Sequence, residues 1–201
     1  QEAYGIGGNG TAESLYGATV SLIGYGNLGR SLAPLLRPFG VRLLVHDPWL
    51  SDGYLTSEGL VPVSLDDALV QSDVVFLLAG VTSENEGFLN RAKLGLIKRG
   101  ACVVLASRAE ILDFDDFLAM TGEGAFRAAV DVFPEEPVPA GHAWRDTPNV
   151  LFSAHLAGGL RASYARIRDM MLDDIGQILK GLPPLRMQKA DPQFAAKMRS
   201  R

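Results

Sequence analysis

With one cysteine, Cys102, the sequence cannot close an intramolecular disulfide, which fits a reducing compartment. No apolar run approaches the roughly 20 residues needed to span a bilayer, and the first residues have neither the basic nor the apolar region of a secretion signal. Excess charge of one sign is missing too: 19 basic residues against 23 acidic ones leave a net charge of −4 and a pI near 5.4. That balance offers no general attraction to nucleic acid or to an anionic membrane. Internal repeats and low-complexity tracts are absent, and nothing calls for a metal. What remains is a chain expected to be soluble and cytoplasmic, with small molecules or proteins as partners. Its 201 residues, 47% apolar, suit one sizeable domain and leave no room for a second full one.

Glycine, by contrast, is plentiful and patterned. The apolar stretch from Thr19 to Ile23 runs into Gly24-Tyr25-Gly26-Asn27-Leu28-Gly29, and a second stretch, Val41 to Val45, ends just before Asp47. This is the grammar of a dinucleotide site. The first glycine allows a tight strand-to-helix turn, the second lets backbone amides approach a diphosphate, and the third lets the helix pack on the sheet. Asp47 stands where a carboxylate accepts hydrogen bonds from the adenosine ribose hydroxyls, which favours NAD over its 2′-phosphorylated relative. Gly5, Gly7 and Gly10 repeat the spacing, but no strand precedes them, so residues 1–14 read as a flexible linker. Pro34 breaks a local rule inside the helix expected after Gly29, and predicts a kink there or a late helix start.

Beyond the glycine loop, β-rich apolar runs alternate with helical patterns. Thr19 to Ile23, Val41 to Val45, Val74 to Leu78, Cys102 to Leu105, Ala128 to Val132 and Val150 to Phe152 read as strands apolar on both faces, with Leu60 to Val63 as a short edge strand. Helices are predicted over Ser64 to Val70, Asn90 to Lys98, Asp113 to Met120 and Ala162 to Lys180. The alternation means an α/β fold, a Rossmann-like doubly wound parallel sheet with flanking helices. The last helix has a stripe of Ile167, Met170, Met171, Ile175, Ile178 and Leu179, suited to core packing or to docking on another domain. Leu182 to Arg201 reads as a surface tail, and Cys102 as a buried structural thiol.

Arg108, Glu136 and His155 fall at or after the carboxyl ends of predicted strands, the edge where open parallel sheets bind ligands. Each alone has a bland account: a solvated charge, an exposed loop carboxylate, a hydrogen-bonded surface or core histidine. Their convergence on one sheet edge beside the cofactor loop raises the joint case above any single one. Removing a hydride from a carbinol requires a base for the hydroxyl proton, and an imidazole titrates in the right range. A carboxylate on its other nitrogen would fix the tautomer. A guanidinium fork would hold a substrate carboxylate or carbonyl.

The order of these motifs resembles the cofactor domain of the D-isomer-specific 2-hydroxyacid dehydrogenases, from Leu15 to about Leu182. The likeness includes Asp73-Val74-Val75-Phe76-Leu77-Leu78 with Thr82 after it, the Arg108 segment, Ala128 to Pro137, and Pro148-Asn149-Val150 leading to His155-Leu156-Ala157-Gly158-Gly159. The resemblance implies an NAD enzyme interconverting small D-2-hydroxy and 2-oxo acids, with His155 as acid/base, Glu136 orienting it and Arg108 binding substrate. It also implies cofactor contacts from Gly24, Gly26, Asn27, Leu28, Gly29, Asp47 and Thr82. Ala106, Ser107, Arg108, His155 and Gly158 would line the nicotinamide pocket, and Asp131 would meet the nicotinamide amide.

The chain departs from the family pattern in reading Ala106-Ser107-Arg108-Ala109 for Thr-Ala-Arg-Gly and Ser153-Ala154-His155 for Thr-Pro-His. Leu78 and Gly80 replace a frequent His and Pro. These changes touch loop shape and substrate preference. Family members carry a substrate domain first, so this sequence, starting at Gln1 with a glycine-rich lead, is expected to be a fragment. Residues 15–160 would form the NAD-binding domain, and 161–201 a helix and tail returning to the absent one. Homodimerisation is a further implication. An NAD(H)-sensing dimeric module without turnover stays open, as does an unrelated Rossmann protein.

Overall fold

A computed structural model describes residues 13–190 together with positions 192 and 196; the early glycines and most of the last eleven positions of the expected tail lie outside the described residues. Among the described residues, seven strands form one parallel sheet: β1 (Thr19–Ile23), β2 (Arg42–His46), β3 (Val61–Pro62), β4 (Val74–Leu77), β5 (Cys102–Leu105), β6 (Arg127–Val130) and β7 (Val150–Phe152). Their spatial order is β3-β2-β1-β4-β5-β6-β7. The order reverses between β1 and β4, and a doubly wound sheet opens a crevice at that point. Among the described residues, five α-helices lie between strands, α1 (Asn27–Leu36), α2 (Asp52–Ser57), α3 (Leu65–Gln71), α4 (Arg91–Leu94) and α5 (Phe114–Gly122), and α6 (Arg161–Leu179) follows β7.

Two apolar layers sandwich the sheet. Val20, Leu22, Leu43 and Val45 pack with Ala33 and Leu36 of α1 and Leu55 of α2. On the other face Val75, Leu77, Val103, Leu105, Ala128 and Val130 meet Leu69 of α3, Leu94 of α4 and Phe117 of α5. Fully burying one such side chain stabilises the fold by roughly 1.5–3 kcal/mol. Their apolar composition predicts strands buried on both faces, but the two faces are not equally covered. Val74, Phe76, Cys102 and Val104 are only half-buried, because α1 and α2 cluster with β1 and β2. Cys102 is thus less enclosed than expected, although burial still pushes its thiol pKa up.

Helix α1 begins directly at Asn27, so Pro34 does not delay it. The proline lies in the last turn, and both it and Arg30, whose carbonyl it deprives of a partner, are exposed to water. Helix α4 is shorter than the predicted Asn90 to Lys98. Asn90 caps it, accepting from Lys93 N at 3.2 Å. After Leu94 the chain tightens into bonds from Leu96 N to Lys93 O and Ile97 N to Leu94 O, which turn both Leu94 and Ile97 into the core. Helix α2, which the sequence reading does not foresee, starts at a Ser51 cap on Tyr54 N.

Gly24 and Gly29 make the tight turn between β1 and α1. Gly24 has φ +97°, and a Cβ there would lie 2.7 Å from the backbone N of Ala79. A Cβ at Gly29 would lie 2.8 Å from Gly24 O. Neither neighbour can yield, since both are backbone. Gly26 differs: a Cβ there would meet no atom within 4 Å.

The apolar stripe of α6 does not enter the core. Ile167, Met171, Ile175 and Ile178 are 45–57% exposed. The buried residue of α6 is Asp174, whose carboxylate accepts from Leu185 N (2.8 Å), Arg186 N (2.9 Å) and Met187 N (2.7 Å). Burial alone would raise this carboxyl's pKa; the backbone donors outweigh it and hold the group below its usual range. The predicted surface tail is exposed but, to Met187, pinned to the helix. Among the described residues no helix is long and apolar enough to cross a membrane.

Two expectations follow from this packing. Gly24→Ala should destabilise the domain by about 2–4 kcal/mol through strain and overlap, and Gly26→Ala by less than about 1 kcal/mol, as read from paired thermal melts. Equal losses would contradict the assigned turn geometry. Asp174→Ala should strip hydrogen-exchange protection from the amides of residues 185–187. Because the folded carboxyl is the stronger acid, its contribution is complete above an unfolded pKa of about 3.9 and fades as pH falls through the folded value.

Candidate active site

The carboxyl edge of the sheet gathers the predicted residues from six strand ends, those of β1, β2, β4, β5, β6 and β7. After β1, the N-terminus of α1 has neither a side-chain cap nor an acidic residue in its first turn, so its backbone N–H groups are free to meet an anion. The empty space over Gly26 gives a diphosphate room to approach them. Leu28 is half exposed beside this turn, and Asn27 donates through Nδ2 to Gln188 Oε1 at 3.0 Å. After β2, Asp47 has a second task that the sequence did not suggest. Its Oδ2 accepts from Tyr25 N at 2.8 Å and its Oδ1 from Trp49 N at 3.0 Å, bracing the glycine turn. Each oxygen keeps a lone pair for a ribose hydroxyl. These features fit a dinucleotide.

Arg108 stands three residues beyond β5, exposed, with Nη1 donating to Ser107 O at 2.8 Å. Ser107 is 6% exposed, and its hydroxyl has no hydrogen-bond partner among the described residues. Such a buried orphan is rare in a native fold and is suited to a bound ligand. Ala106 before it is half-buried. Thr82, in the turn after β4, is 2% exposed; its hydroxyl donates to Asn85 Oδ1 at 3.1 Å and accepts from Glu84 N at 3.2 Å. Its side chain therefore shapes that turn.

The closest pairing joins the loops after β6 and β7. His155 Nδ1 lies 2.7 Å from Glu136 Oε2, and Glu136 Oε1 accepts from Phe133 N at 2.9 Å. Both side chains keep one edge in solvent, at 44% and 35% exposure, so the pair is accessible to a substrate. Partial burial pushes the Glu136 carboxyl's pKa up, but the His155 hydrogen bond, the Phe133 amide and the charges of His155 and Arg108 prevail and hold it below its ordinary value. Arg108 thus joins the pair electrostatically.

Asp131, the first residue after β6, organises this loop. Its carboxylate, 8% exposed, accepts from Leu156 N at 2.9 Å and Ala157 N at 3.1 Å, and its carbonyl accepts from His155 N at 2.8 Å. Burial opposes ionisation of Asp131, yet the Ser153 side chain, the two amides and the charge of His155 leave its pKa lowered. His155 is held at φ +52°, a conformation most non-glycine residues avoid. Gly158, exposed, ends the stretch with open space at its Cβ position. No group of three or more potential metal ligands occurs among the described residues.

Comparison with known proteins identifies the family. Residues 7–157 match the model of the family described as D-isomer specific 2-hydroxyacid dehydrogenase, NAD binding domain. A D-3-phosphoglycerate dehydrogenase of Bacillus subtilis is 28% identical over 170 residues, 84% of this chain and 32% of its own. A phosphoglycerate oxidoreductase structure from Rhizobium etli superposes with a TM-score of 0.86 at 39% identity, covering 94% of this chain and 57% of that one. A D-lactate dehydrogenase from Aquifex aeolicus, solved with NAD and lactic acid, gives a TM-score of 0.71 at 26% identity, over 85% and 56% of the two chains. The chain thus spans from 32% to 57% of the length of these relatives. With its turn, its acidic ribose position and its family match in agreement, the chain belongs to the NAD-binding domain family of the D-isomer-specific 2-hydroxyacid dehydrogenases.

Proposed function

We propose that the protein containing this domain is an NAD-dependent oxidoreductase that interconverts a small D-2-hydroxy acid and its 2-oxo acid. The observation that carries the reading is the 2.7 Å contact between His155 and Glu136 at the sheet edge that also holds the cofactor turn. A domain that only sensed NAD(H) would need no carboxylate-braced imidazole there. Homodimerisation and a cytoplasmic setting belong to the same reading, supported by the family resemblance and, for the second, by the single thiol.

The Gly24–Gly29 turn and Asp47 would hold NAD, which would supply or accept the hydride at the substrate's second carbon. His155 uses Nε2, the nitrogen not engaged by Glu136, to take the hydroxyl proton during oxidation and to return it to the carbonyl oxygen during reduction. Glu136 fixes the ring's tautomer and offsets the imidazolium charge. The bond to His155, the Phe133 amide and the nearby positive charges hold its pKa below the ordinary carboxylate value, which favours the ionised form that pairs with the ring. Arg108 holds the substrate carboxylate or carbonyl with its planar donors. Asp131 positions His155 through the loop and keeps spare lone pairs for the nicotinamide amide. Asp47 favours NAD, since a 2′-phosphate there would face a carboxylate.

In the full-length protein, His155→Ala should leave NADH affinity intact, measured by fluorescence titration, while kcat with a responsive 2-oxo acid falls by about 10²–10⁴-fold. Glu136→Gln should lower kcat in the same direction with little change in NADH affinity. Loss of cofactor binding together with turnover in His155→Ala would reject the assigned base.

A further inference from the structure

A cavity of about 450 Å³ opens directly beside the Glu136–His155 pair, walled by Phe133, Val138, Trp144 and Phe152. That volume lies in the range of small-ligand pockets. Its walls are tied to their surroundings by hydrogen bonds and ring contacts. Trp144 donates through Nε1 to Asp115 Oδ1 at 3.0 Å and stands edge-on to Phe114 at 4.8 Å between ring centroids. Phe133 stacks on Phe152 at 5.9 Å and meets Phe114 edge-on at 6.0 Å. Arg145 also reaches the cavity, but its guanidinium donates to the carbonyls of Val138 and Pro139 and so braces the loop that forms the wall. Trp144 therefore packs on α5 with one part of its ring and presents another to the cavity.

We propose that this cavity is the side-chain subsite for the 2-oxo acid, and that the substrate class is an acid with an aromatic or branched aliphatic side chain. The inference rests on the dehydrogenase reading above. An apolar side chain gains from leaving water for these rings, and aromatic pairs add to area burial. A phosphorylated or carboxylated side chain would enter mostly apolar walls and face the Glu136 carboxylate, which makes its desolvation costly. Glyoxylate has no side chain to fill the space.

The test uses the full-length protein saturated with NADH and compares kcat/KM for phenylpyruvate, 4-methyl-2-oxopentanoate and glyoxylate. The two bulky acids should exceed glyoxylate by at least tenfold. Val138→Trp, which fills the cavity, should lower the phenylpyruvate-to-glyoxylate ratio at least tenfold, and Trp144→Ala should lower it in the same direction. A parent enzyme that prefers glyoxylate, or a ratio unmoved by Val138→Trp, overturns the subsite while leaving the dehydrogenase reading standing. No NADH-linked turnover of any 2-oxo acid overturns both.

Discussion

A buried carboxylate, Asp131, sets the geometry on which the site depends. It stands at the end of β6, and β7 emerges beside it in parallel register. Its side chain accepts the amides of Leu156 and Ala157 while its carbonyl accepts that of His155. Three hydrogen bonds from one residue thus dictate the path of the chain after β7, and hold His155 in a left-handed conformation that only a well-braced loop sustains. The imidazole then meets Glu136, itself held by the Phe133 amide from the loop after β6. The pair is built by adjacency of two strand ends, with no helix needed to present either group.

The cofactor end shows the same economy of parts. Asp47 joins the end of β2 to the glycine turn through Tyr25 N, so the residue that would read the ribose also shapes the loop that would cradle the diphosphate. Tyr25, buried in the layer beneath, is flanked by Arg30, whose guanidinium lies 6.0 Å from its ring and 5.5 Å from that of Tyr54. Turn, helix start and the acidic residue after β2 are therefore tied together by direct contacts. At the opposite end of the chain, Asp174 does for the tail what Asp131 does for the loop after β7.

Features with a local cause were legible in the sequence. Gly24, Gly26 and Gly29 follow a β-branched run and precede a helix, so steric rules alone identify the turn, and the six principal strands stand close to where their apolar runs place them. Local signals misled where tertiary packing overrode them: α4 stops at Leu94 because Ile97 must reach the core, a need that no cap residue reveals. The short α2 has too few residues for a readable period. The site was legible in part. Arg108, Glu136 and His155 could be placed on one edge from strand ends and family likeness, but the Glu136–His155 contact spans 19 residues and depends on Asp131 drawing the loop inward. The roles of Asp174 and Trp144 also arise from long-range partners. Asp174 meets amides 11 to 13 residues away, and Trp144 meets Asp115 at a separation of 29.

The central claim is that the braced imidazole faces the reacting oxygen of a 2-hydroxy acid beside a bound nicotinamide. A crystal structure of the full-length protein with NAD and a turned-over 2-hydroxy acid measures this directly. The account predicts the substrate's hydroxyl oxygen within about 2.6–3.2 Å of His155 Nε2, with Nδ1 still on Glu136 and the substrate carboxylate on Arg108. A substrate whose hydroxyl is held by another residue, with His155 turned away from it, would contradict the account.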